Sequence, residues 1–173
     1  MTTASDVPQE PLALIDYILQ RYHETHRREL QDLIPLAEKV ERVHAGHPDA
    51  PKGLAALLLR MSDELEMHMQ KEEAVLFPMM RQQPPKPMIA HPIARMRIEH
   101  DDHNALLREL DAVTHQGRMP EDACGSWRAL YAGVRKLSDD LKEHIRIEND
   151  VLFPQFATEM PKTPICPGKL AQG

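Results

Sequence analysis

Aromatic side chains are scarce in this sequence, at 4% of 173 residues, and runs of β-branched residues are missing. Leu, Ala, Met, Glu and Arg are plentiful instead, which favours helices. There are two cysteines, Cys124 and Cys166, and no Cys-x-x-Cys. No export signal is expected from Met1 to Pro11, which is polar and proline-bearing, with neither a basic start nor an apolar core. Two free thiols are therefore expected rather than a bridge, in a cytoplasmic protein. The longest apolar run, Leu54 to Leu59, is far too short to span a bilayer. Positive charge is not in excess; the formal charge is −6 with histidines neutral. This balance argues against nucleic acid as the main partner. The length suffices for one domain with a real core.

What the sequence does contain is a repeat. His68-Met-Gln-Lys-Glu72-Glu-Ala-Val-Leu-Phe-Pro78 returns as His144-Ile-Arg-Ile-Glu148-Asn-Asp-Val-Leu-Phe-Pro154. Both copies read His-x-x-x-Glu, two residues, then Val-Leu-Phe-Pro. Positions i and i+4 share a helix face, so each imidazole points the same way as its carboxylate. Glu73 lies about 100° further round and should face elsewhere. A second correspondence joins His23-x-x-His26 to His100-x-x-His103. His68 follows His23 by 45 residues, and His144 follows His100 by 44.

Helical spacing organises the rest. A flexible lead-in (1–10) precedes a helix starting at Pro11, with a kink expected at Pro35. Gly46-His-Pro48 ends it. The second helix starts at Leu54 and stops near Pro78 or a few residues later. Gln82 to Pro92 holds four prolines in eleven residues and reads as a stiff extended connection. The third helix is expected from about Ile93 to Gln116. The fourth begins near Pro120 and runs to about Ala157, followed by an irregular tail (158–173). The expected fold is all-α: an up-down-up-down four-helix bundle over 11–157 with pseudo-two-fold internal duplication.

Level along the bundle selects the polar residues that meet. In antiparallel neighbours, His23 comes to the height of His68 and Glu72, and His100 to the height of His144 and Glu148. His44 lies ~30 Å of straight helix beyond His23 and belongs at the opposite end. His47, His91 and His115 fall at turns or helix ends. His26 and His103 are open between further ligands, groups supporting the ligands, and hydrogen-bonded core histidines. Glu64 and Glu99 are candidates to support the site or relay protons. Two Glu residues on apolar stripes demand a compensating charge, because an unpaired buried carboxylate costs several kcal/mol or neutralises. Four imidazoles and two carboxylates suit iron, manganese or zinc. Their local two-fold suggests two ions bridged by Glu72 and Glu148, with iron the redox-capable choice.

Several stretches carry a resemblance over roughly residues 12–157. They are Arg21-Tyr-His-Glu-Thr-His-Arg27, Lys39-Val-Glu-Arg-Val-His44, Pro51-Lys-Gly53, the first His-x-x-x-Glu repeat, Glu99-His-Asp101 and Asp140-Leu-Lys-Glu-His-Ile-Arg-Ile-Glu-Asn149. The chain resembles the hemerythrin-like, His-His-Glu cation-binding domains, and among them the iron–sulfur cluster repair proteins. The resemblance implies an oxo- or hydroxo-bridged pair of iron ions held by His23, His68, His100, His144, Glu72 and Glu148. It also implies a role against nitrosative and oxidative stress: binding or reducing nitric oxide, and supporting repair of damaged iron–sulfur clusters. Full-length members carry an N-terminal domain with a cysteine pair, which Cys124 and Cys166 do not reproduce. Two other readings compete. One is a non-catalytic carrier or sensor of dioxygen or nitric oxide. The other is a structural or storage bundle for zinc or manganese.

Overall fold

A computed structural model describes residues 7–156. The expected tail, Cys166 and most of the lead-in lie outside the described residues. Four long rods run up, down, up and down. Helix 1 (11–43) is α-helical over Pro11–Ile18 and Glu24–Val43, with a π-helical turn at Leu19–His23 between them. Helix 2 (54–81) joins Leu54–Lys71 to Phe77–Arg81 through a π-turn at Glu72–Leu76. Helix 3 is one α-helix, Lys86–Val113. Helix 4 (125–156) joins Gly125–Ile147 to Phe153–Phe156 through a π-turn at Glu148–Leu152. Among the described residues there is no strand, and no helix is long and apolar enough to cross a membrane.

Local chemistry sets the ends. Pro11 sits in the first turn of helix 1, where its missing N–H costs nothing, and the Glu10 carboxylate accepts from the Leu12 and Ala13 amides. Gly53 precedes helix 2 at φ +87°, a left-handed conformation that favours glycine. Helix 2 borrows its cap from helix 1: Glu41 accepts from Gly53 N at 3.2 Å and Ala55 N at 2.7 Å.

The expected starts of two helices are corrected. Helix 3 begins at Lys86 rather than Ile93, so the extended connection shrinks to a few residues before Lys86. Pro87 occupies the first turn, and Pro92 forfeits one bond within the second turn, so prolines read as breakers are tolerated near a helix start. Helix 4 begins at Gly125 rather than Pro120. Helix 1 stays α-helical on both sides of Pro35, and a further irregularity, the π-helical turn at Leu19–His23, was not expected from the sequence.

The π-turns of helices 2 and 4 have a common source. Pro78 and Pro154 cannot donate to the carbonyl four residues back, and the preceding Phe77 and Phe153 amides reach Glu72 O and Glu148 O, five residues back. The doubled Phe-Pro thus widens both helices at the doubled Glu.

Two apolar clusters flank a polar layer. One gathers Leu14, Ile18, Leu76, Phe77, Ile93 and Phe153 toward the start of helix 1. The other gathers Leu33, Val40, Leu58, Leu65, Leu110 and Trp127 toward its end. Helix 4 approaches helix 1 closely at Gly133, where an added Cβ would lie 2.5 Å from Leu33 Cδ2. Across the same seam, Asp140 accepts from Arg21 at 2.7 and 3.2 Å, and it accepts from Lys136 of its own helix at 2.8 Å.

Two predictions follow from this seam. Gly133→Ala is expected to destabilise the wild type by roughly 1–3 kcal/mol, because Leu33 is packed into the core and must shift. In a Leu33→Ala background the sign should reverse, since alanine in a helix gains about 0.5–1 kcal/mol over glycine. Urea melts of the four proteins measure this; equal costs in both backgrounds would rule the contact out.

The second concerns pH. Burial pushes the Asp140 carboxyl up, but hydrogen bonds from Arg21 and Lys136 outweigh it and hold the group below its ordinary value. Such a carboxyl stabilises above its unfolded pKa and ceases to do so as pH falls through the folded one. The gap between wild type and Asp140→Asn should be flat near neutrality, at roughly 1 kcal/mol. It should close in acid, below the ordinary aspartate value of about 3.9. A gap that survives full acidification excludes the ion pair as its source.

Candidate metal centre

Between the apolar clusters lie His23, His68, Glu72, His100, His144 and Glu148, each at most 2% exposed. Every imidazole turns Nε2 inward. Glu72 stands between the two imidazoles of the first half: Oε2 lies 3.3 Å from His23 Nε2 and Oε1 3.5 Å from His68 Nε2. Glu148 repeats this in the second half, with Oε2 3.0 Å from His100 Nε2 and Oε1 3.1 Å from His144 Nε2. Two compact donor groups result, His23/Glu72/His144/Glu148 and His68/Glu72/His100/Glu148. Both carboxylates belong to both groups, and each extends one oxygen toward each.

The donor atoms fit a cation. His23 Nε2, His144 Nε2 and all four carboxylate oxygens are buried without a hydrogen-bond partner. His68 Nε2 and His100 Nε2 face each other at 3.2 Å. Lone pairs converge here with few protons to share, which is what a metal ion satisfies and a protein core does not. Burial, reinforced by the facing Glu148 charge, pushes Glu72 up to about 7. Burial acts the same way on Glu148, but His144 and His100 hold it well below the ordinary carboxylate range. Burial lowers His23 and His144, favouring the neutral, ligating form.

The opposite edge of each ring is also held. His23 Nδ1 meets Glu73 Oε1 at 2.8 Å, and His68 Nδ1 meets Glu99 Oε2 at 2.9 Å. His100 Nδ1 meets Asn149 Oδ1 at 3.0 Å, and His144 Nδ1 meets His26 Nε2 at 3.3 Å. An acceptor at Nδ1 keeps the proton there and leaves Nε2 free to ligate. The rings are stacked as well. Phe77 covers His23 and Phe153 covers His100, at centroid distances of 5.9 and 5.8 Å, while Tyr22 lies on His144 at 5.1 Å. The Phe of each Val-Leu-Phe-Pro thus braces an imidazole of the other helix in its half.

The structure brings all six expected ligand residues together. It brings Glu99 to His68, where burial opposes ionisation but Lys71 and His68 pull the group down to about 2. It does not bring Glu64, which is partly exposed with Arg60 4.0 Å away. His44 lies far off, its ring 4.8 Å from Trp127. His26 supports His144. His103 packs edge-to-face on His68 with Nδ1 unpartnered, and burial among imidazoles pushes it down to about 3. Glu73 does leave the central cluster, as its angle requires, but it turns onto helix 1 and meets His23. Sequence reasoning missed this role, and missed Asn149 altogether. The signal was available, because the two residues occupy the same place in the repeat.

A buried carboxylate pair without compensating charge is a liability. Glu72→Gln is expected to raise the stability of the metal-free protein by roughly 1–3 kcal/mol. The same change should abolish the rise in melting temperature on metal addition. Calorimetry with and without added ferrous iron checks both; a variant less stable than the metal-free wild type contradicts the argument.

The comparisons agree with this site. Residues 14–156 match the family described as Hemerythrin HHE cation binding domain. Over 146 residues the chain is 48% identical to the iron-sulfur cluster repair protein YtfE of Citrobacter koseri. It is 47% identical over the same length to the proteins of that name from Escherichia coli O1:K1 and Salmonella schwarzengrund. Each alignment covers 84% of this chain and 66% of the relative, a little under two thirds of these curated proteins' length. The family match runs through all four helices and the buried cluster they carry, and the chain belongs to the hemerythrin HHE cation-binding family.

Proposed function

We propose that this chain holds two iron ions and serves in defence against nitrosative and oxidative stress, binding or reducing nitric oxide and supporting repair of damaged iron–sulfur clusters. One observation carries the two-ion reading: Glu72 and Glu148 each extend one oxygen toward each of two histidine pairs. On this reading His23 and His144 would hold one ion and His68 and His100 the other, with Glu72 and Glu148 shared between them. Cluster repair is the role for which the longer relatives are named, and it is carried over on that similarity.

Iron so held would supply a redox couple at each ion and positions for a diatomic ligand. The chain's own residues do the rest. Two carboxylates among four imidazoles leave the set less anionic than the carboxylate-rich ferritin-like bundles, which suits binding a diatomic molecule. The apolar clusters exclude water on both sides of the layer. Glu99, hydrogen-bonded to His68 and to Lys71, links the layer to the charged residues at the surface and holds the His68 ring in place. Nitric oxide or dioxygen, and proteins carrying iron–sulfur clusters, are the partners this implies, in the cytoplasm.

The test is anaerobic titration of the reduced, iron-loaded protein with nitric oxide, with metal counted and nitrous oxide measured in the headspace. Two irons per chain, nitrosyl bands and repeated nitrous oxide release with a reductant are expected. Two irons with reversible binding and no product would mark a carrier or sensor instead. One iron, or none, would sink the two-ion reading.

A further inference from the structure

The residues behind the histidines divide unevenly between the two halves of the chain. Both imidazoles of the first half rest on carboxylates: His23 on Glu73 and His68 on Glu99. Neither imidazole of the second half rests directly on a carboxylate: His100 meets Asn149 and His144 meets His26. The repeat shows how this arose. Asn149 occupies the place of Glu73. Tyr22 occupies the place of Glu99, one residue before its histidine, and stacks on His144 rather than accepting from it. His26 then supplies the acceptor that His144 lacks.

Each donor group, however, takes one histidine from each half. His23 on Glu73 is grouped with His144 on His26, and His68 on Glu99 with His100 on Asn149. From this crossing we infer that the outer carboxylates are dealt one to each metal position. The two ions are then held by matched donor sets although the two halves of the chain differ. A carboxylate behind a ligating imidazole raises its basicity, and losing such a partner typically costs about 10–100-fold in metal affinity. Glu73 and Glu99 are therefore positioning residues, one per ion. Each is clamped from outside, Glu73 by Arg27 at 3.0 Å and Glu99 by Lys71 and Arg95 at 2.7 and 3.0 Å, so each stays charged and fixed.

This rests on the di-iron reading, and the test separates the two. Protein loaded with the Mössbauer isotope of iron is reduced anaerobically, its iron counted and its spectrum recorded. The wild type should show one quadrupole doublet or two nearly coincident ones. Glu73→Gln and Glu99→Gln should each split it into two doublets of equal area, one of them unmoved. The double variant should collapse the pair into a single displaced doublet. Asn149→Asp, which adds a carboxylate rather than removing one, should also split the spectrum and keeps the test open if a Gln variant folds poorly. At two irons per chain, a single substitution that moves both halves equally overturns the inference and leaves the di-iron reading standing. So does a wild type with two well-separated doublets. A wild-type count other than two overturns both.

Discussion

Two carboxylates face each other in the middle of this protein, and the rest is arranged around that constraint. Glu72 and Glu148 are both fully buried. Apolar burial alone would neutralise them or unfold the chain around them. The surroundings alternate in sign instead. Imidazoles meet the carboxylates, Glu73 and Glu99 meet two of the imidazoles, and Arg27, Lys71 and Arg95 meet those outer carboxylates at the surface. The outer layers are paired, but the inner one has more lone pairs than protons. Only there does the balance require a charge that the polypeptide does not supply, and a metal cation is the species that meets it.

The repeated sequence does two jobs at that layer. His-x-x-x-Glu places an imidazole and a carboxylate on one helix face. Phe-Pro then widens the helix at the carboxylate and stacks a ring on the neighbouring histidine. Helix 1 carries a similar π-turn ending at His23, with no proline just behind it, whereas helix 3 runs through His100 without one. Three of four helices are thus irregular at the level where the donors meet, and π-turns of this kind concentrate at functional positions.

The sequence was most legible where the argument used one helix at a time. Spacing along an axis was enough for the rods, the antiparallel levels and the six side chains that the structure brings together, and it set His44 apart from them. It failed where the answer lay on the neighbouring helix. Glu73 was placed correctly about its own axis, but only the packing of helix 1 shows that His23 waits there. Glu64 and Glu99 looked alike as candidates. Glu99 faces His68 across the seam between helices 2 and 3, while Glu64, one turn before His68, runs out beside Arg60. Prolines misled for a different reason: their cost depends on depth within the helix. Pro87 forfeits nothing in a first turn, so helix 3 could start earlier than proline content suggested.

The two apolar clusters also bear on what can reach the donors. Above and below the layer, the side chains packed along the bundle axis are largely apolar, Phe77, Phe153 and Leu65 among them. Lateral entry meets charged side chains that are already paired. An incoming anion would shed its water in an apolar wall or displace one of these pairs, and either is costly. A small uncharged molecule does neither. The surroundings of the donors therefore set a hydration cost that is lower for a small uncharged molecule than for an anion.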